Sequence, residues 1–92
     1  MMDVLIKKPA DRLDYDVDFD RWLNDADTIV ALVATIGDGG SVAIDETMVA
    51  DRSVKIWLAG GAPADQQTVT LVVTTAEGRQ KQVCFRIRVL AC

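Results

Sequence analysis

The sequence predicts a single all-β sandwich. Three observations predict it. Apolar residues alternate with polar ones, the period of a half-buried strand. β-Branched residues crowd those alternating runs. Glycine, proline and aspartate clusters interrupt them about every 8–12 residues, the turn spacing of a sandwich.

The elements follow in order. Leu13 to Phe19 is the first clear strand, with Leu13, Tyr15, Val17 and Phe19 on one face and Asp14, Asp16, Asp18 and Asp20 on the other. Asp20 to Asp25 reads as a turn, with Trp22 and Leu23 tucked beneath it. Thr28 to Ile36 is a second strand, closed by Gly37-Asp38-Gly39-Gly40. Ser41 to Glu46 is a short strand. In Ser53 to Ala59, Val54, Ile56 and Leu58 alternate with Lys55 and Trp57. Gly60 to Asp65 is a loop, Thr68 to Ala76 a strand, and Glu77-Gly78-Arg79 a hairpin turn. Gln80 to Leu90 is the last strand, with Val83, Phe85, Ile87 and Val89 on one face.

No Cys…Trp…Cys spacing marks an antibody domain, so the expected architecture is an immunoglobulin-like β-sandwich of six or seven antiparallel strands. Residues 12–92 form that domain. Residues 1–11 are expected as an N-terminal arm, because Lys7-Lys8-Pro9 interrupts any strand before Asp11.

The chain has 92 residues, enough for one domain. A domain of that size buries only about 60–65% of the surface its unfolded chain exposes, which leaves little room for a deep cleft. The formal net charge is -4, which opposes binding to nucleic acid phosphates and to anionic membranes. No apolar run approaches the roughly 18 residues of a spanning helix, and the N-terminal charges follow the apolar stretch, unlike a signal peptide. Histidine is absent, which removes Ser-His-Asp, Cys-His and HExxH chemistry together.

The two cysteines, Cys84 and Cys92, lie eight residues apart. In a continuous strand that separation is roughly 26 Å, beyond disulfide reach. Free thiols point to folding in a reducing cytoplasm, with a crossed bridge between subunits through Cys92 as the alternative.

Three further features bear on chemistry. The Asp14, Asp16, Asp18, Asp20 ladder is acidic enough to suggest calcium. However, an EF-hand loop counted from Asp14 has Phe19 where glycine is required and Asp25 where glutamate is required. Alternation spaces the carboxylates about 6.6 Å apart along one face, which suits a solvated or ion-paired surface better than an ion cage. Arg86 and Arg88 share this spacing on the last strand, so cross-strand pairing with the ladder is expected. The same carboxylates lack the apolar pocket of a glycosidase acid. The Gly37–Gly40 and Gly60-Gly61 segments lack the residues of a phosphate cradle and read as turns. Trp22 reads as a core plug. Trp57 falls on the opposite parity from Val54, Ile56 and Leu58 and is a candidate contact residue.

Leu13-Asp14-Tyr15-Asp16-Val17-Asp18-Phe19, then Trp22-Leu23, then Asp27-Thr28-Ile29 resembles the N-terminal half of small tailed-bacteriophage proteins of the fiber-tail adaptor or minor head–tail structural type. Val54 to Gly61, Thr68-Val69-Thr70, Thr74 to Arg79 and Phe85 to Val89 resemble their second half. The resemblance spans residues 12–90. It implies an immunoglobulin-like fold, many symmetric copies per particle and a non-enzymatic role joining tail, neck or fibre subunits. It implies no catalytic residue, cofactor or metal. The expected location is the tail or neck of a virion, after folding in the host bacterial cytoplasm. The candidate interface residues are Trp57, Asp14, Asp16, Asp18, Lys7 and Lys8. Two alternatives stand beside this reading: a capsid decoration protein, and a carbohydrate-binding module for host attachment.

Overall fold

Among the described residues the alternating runs fold into seven strands: β1 (Asp3–Lys7), β2 (Leu13–Asp18), β3 (Ile29–Ile36), β4 (Val42–Val49), β5 (Ser53–Gly60), β6 (Gln66–Thr75) and β7 (Gln80–Val89). The structure is a computed structural model and describes residues 3–91. The strands form a four-stranded sheet, β1-β7-β6-β3, and a three-stranded sheet, β2-β5-β4. Two hairpins, β4-β5 and β6-β7, join neighbours within a sheet, and every other connection crosses between sheets.

The inward rows are those the alternation specifies. Val54, Ile56 and Leu58 of β5 meet Val69, Leu71 and Val73 of β6 and Phe85, Ile87 and Val89 of β7, and all are buried. Burial of such a side chain contributes about 1.5–3 kcal/mol, so these rows dominate the stability of the sandwich. Tyr15, Val17 and Leu5 pack against the same core from edge strands.

Gln67 ties the two sheets together. It is buried on β6, and its Oε1 accepts from the Val42 amide at 2.8 Å. Its Nε2 donates to the carbonyls of Gly37 (3.0 Å) and Val42 (3.1 Å). Gly61 is required where the chain leaves β5. Its φ is +108°, and an added Cβ would lie 2.8 Å from methyls of both Val42 and Val89.

Four expectations change. The expected arm is a strand over Asp3–Lys7, paired in register with Phe85 to Val89 of β7. Lys8-Pro9 does end a strand, but β1 is complete in the five residues that close on Lys7. That pairing is parallel, so the sandwich is not wholly antiparallel. β4 extends to Val49 instead of Glu46, because a register shift between Ile44 and Glu46 restores pairing with β5 beyond the break in alternation. Finally, β2 and β7 belong to opposite sheets, so Arg86 and Arg88 do not pair across strands with the aspartate ladder. The strand beside the last one is β1, which the arm expectation had removed.

Candidate protein interaction surfaces

The sandwich presents two outer faces and four edge strands, and the sequence pattern makes the two faces different. On the β2-β5-β4 face, Asp14, Asp16 and Asp18 of β2 stand opposite Trp57, Lys55 and Ser53 of β5. Lys55 Nζ lies 3.4 Å from Asp14 Oδ2 and 3.9 Å from Asp16 Oδ1, taking the partner role expected of the arginines. Asp18 turns to its own chain instead, and its Oδ1 accepts from the Asp20 amide at 2.8 Å. Among the described residues no group of three or more carboxylate, thiol or imidazole side chains is arranged to hold a metal ion.

Trp57 lies on this outer face, as its parity requires, but it is roofed. The Arg12 guanidinium carbon sits 4.3 Å from its ring centre, and Arg12 Nε donates to Asp45 on β4. The indole is therefore half-buried under an ion pair that spans the sheet. Its Nε1 is buried with no hydrogen-bond partner among the described residues.

Lys7 is not a surface contact. Its side chain is only 1% exposed. Its Nζ donates to the carbonyls of Gly60 (2.6 Å) and Lys8 (2.7 Å). β1 directs odd-numbered side chains inward in register with the core side of β7, so Lys7 spends its charge on carbonyls at the end of β5. Lys8 is half-buried, and its Nζ donates to the Ala91 carbonyl at 3.1 Å.

The β1-β7-β6-β3 face has a different chemistry. Its outward side chains are Val4 and Ile6, then Gln82, Cys84, Arg86 and Arg88, then Thr68, Thr70, Val72 and Thr74, then Ala31, Val33 and Thr35. Cys84 is a free thiol on this face, and Cys92, the residue expected to carry any crossed bridge between subunits, lies outside the described residues.

Among the described residues, the large apolar side chains left exposed are Val4 and Ile6 on β1, Val30 and Val33 on β3, and Met48 and Val49 on β4. All six stand on edge strands. Exposed edges with unpaired backbone groups and apolar side chains are templates for pairing with another chain. Sequence pattern could not single them out, since each reads as one more β-strand residue; the signal lies only in which strands are edges. A groove of about 240 Å³ is lined by Leu5, Tyr15, Val17, Val83 and Phe85 together with Asp16, Asp18 and Cys84. Tyr15 Oη faces this region without a hydrogen-bond partner among the described residues, and burial, with a smaller contribution from Asp11, raises its pKa.

One end of the sandwich is braced by charge. Arg52 donates to the carboxylate and carbonyl of Asp20 and to the carbonyls of Asn24 and Asp27, holding the 20–27 loop. Arg79 stacks on Trp22 at 4.3 Å, and Trp22 packs edge-on against Phe19. Asp27, to which the sequence pattern gives no role of its own, is fully buried there. Its Oδ1 accepts from the amides of Thr28 (2.9 Å) and Glu77 (3.1 Å), joining the start of β3 to the β6-β7 turn. Burial pushes its pKa up, but the Thr75 hydroxyl, the Glu77 and Thr28 amides and the Arg79 charge outweigh it and hold the carboxyl below its ordinary value.

These aromatics are thus committed: Phe19 and Phe85 to the core, Tyr15 and Trp22 against it, and Trp57 beneath Arg12. The arrangement offers edges and flat faces, the surfaces by which β-proteins touch one another. No curated protein matches the chain significantly. A family model described as podophage GP4 fiber-tail adaptor protein gp77 matches residues 7–88, from the end of β1 to the penultimate residue of β7. The match takes in both sheets and both outer faces, and the chain belongs to this fiber-tail adaptor family.

Proposed function

We propose that the chain is a non-enzymatic virion structural protein that joins a phage tail or neck component to a fibre through its strand edges and outer faces. The observation that carries the reading is the placement of Val4, Ile6, Val30, Val33, Met48 and Val49 on edge strands, where a neighbouring chain can cover them. Family membership supplies the class of neighbour. Of the residues expected at the interface from sequence, Asp14, Asp16, Asp18 and Trp57 with its Arg12 roof remain proposed contacts, Lys8 is a peripheral one, and Lys7 contributes through the fold.

The immunoglobulin-like assignment belongs to the same proposal. What supports it is the strand order of β1-β7-β6-β3 over β2-β5-β4, with the first strand parallel to the last, an order compatible with an immunoglobulin-like sandwich whose first strand lies beside its last. Many symmetric copies per particle and folding in the host cytoplasm complete the reading. It is tested by locating the protein in purified, washed virions by electron microscopy. Density for it at the tail–fibre junction, in tens of copies, is the expected result. Its absence from washed particles overturns the joining role, and hundreds of copies over the capsid would assign it to decoration instead.

A further inference from the structure

The two outer faces carry opposite charge. On β2-β5-β4, Asp14, Asp16, Asp18, Asp45 and Glu46 outnumber Arg12 and Lys55, and all five carboxylates are exposed. The outward strand residues of β1-β7-β6-β3 named above include two charged side chains, Arg86 and Arg88, and both are cationic and exposed. Among the described side chains, which do not include that of Asp3, neither arginine has a carboxylate within ion-pairing distance, whereas Lys55 and Arg12 are already engaged.

We propose that the carboxylate face of one copy docks on the arginine face of a second copy of this chain. Arg86 and Arg88 alternate along β7 with the same repeat, about 6.6 Å, as Asp14, Asp16 and Asp18 along β2, so the two rows can pair side by side. Val4 and Ile6 stand beside the arginines in register on β1, and Met48 stands beside Lys55 on β4, so both faces bring apolar surface to the same contact. A broad face of a body measuring 44 × 21 × 18 Å is large enough for the roughly 800 Å² per partner of a standard interface. Docking either face on its own kind opposes like charges, which disfavours a two-fold dimer. The contact is therefore head-to-tail, and its repetition gives a ring or an open stack. This inference goes beyond the joining role and does not require it: self-association is read in solution, location in the virion.

The test is sedimentation velocity of the whole chain over a concentration series, from about 0.02 M to about 0.5 M salt, across which the Debye length falls from roughly 20 Å to about 4 Å. Association that grows with concentration and weakens with salt is expected. Arg86→Glu with Arg88→Glu should weaken it at least tenfold, and so should Asp14→Lys with Asp16→Lys. Mixing the two variants should restore association, because each then offers the face that the other lacks. All four positions are exposed, and thermal melts verify folding; should one variant fail to fold, the other with the wild-type salt series decides. A wild-type chain that stays monomeric across the series overturns the proposal, as does association that both variants retain.

Discussion

The Arg12 guanidinium lies 4.3 Å from the centre of the Trp57 ring and bonds Asp45 beyond it, so one side chain from the residue just before β2 crosses β5 to reach β4. An exposed cation–π contact contributes about 0.5–1 kcal/mol, and an exposed ion pair no more. Arg12→Ala should therefore cost about 1 kcal/mol and uncover the indole. In a Trp22→Phe background, with Trp57 as sole reporter, fluorescence should shift red and acrylamide quenching should rise. Unchanged quenching would show that the roof does not shield Trp57.

Gln67→Leu removes the clamp between sheets and leaves the Val42 amide and two carbonyls without their partner. A buried group so orphaned costs about 1–3 kcal/mol. The midpoint of urea unfolding should fall with the slope unchanged. A variant as stable as the parent would mean that other groups satisfy Val42.

Gly61→Ala combines a left-handed backbone with a Cβ 2.8 Å from Val42 and Val89 methyls. Backbone strain and overpacking each cost about 1–3 kcal/mol. Gly78→Ala, at φ +88° with nothing within 4 Å of its added Cβ, carries the backbone cost alone. Thermal melts should rank Gly61→Ala clearly below Gly78→Ala; equal losses would remove the steric argument.

Acid stability should follow two carboxyls. Asp65 Oδ2 accepts from the amides of Ala62 (2.8 Å) and Ser41 (3.0 Å), and these bonds, foremost that from Ala62, hold its pKa below the ordinary value. Asp27 is also lowered, its burial outweighed by hydrogen bonds and Arg79. A lowered folded pKa stabilises the fold above the unfolded value, about 4, and that contribution is lost as pH falls through the folded value. Unfolding midpoints measured between about pH 7 and pH 2 should stay level at first, then fall below about pH 4. Asp65→Asn should flatten the fall, and a parallel curve would exclude this cause.

Much of this was legible in the sequence. The buried rows of β5, β6 and β7 alternate as their residues do, because in a strand parity alone decides which face a side chain joins. The same rule put Trp57 and the aspartate ladder outside. The Gly60-Gly61 turn was equally plain, although its tightness against Val42 and Val89 was not.

What parity cannot say is which strand lies beside which. Pairing depends on backbone contacts between residues far apart in the chain, and the local pattern is the same whether a strand is central or at an edge. Hence Lys55, not Arg86 or Arg88, meets Asp14 and Asp16, and Lys7 turns inward to Gly60. The sequence by itself determined a two-faced β-sandwich without histidine chemistry. The tertiary structure alone decided that β1 joins β7, that Val4, Ile6, Val30, Val33, Met48 and Val49 fall on edges, and that the aspartate ladder and the Arg86–Arg88 row stand on opposite faces.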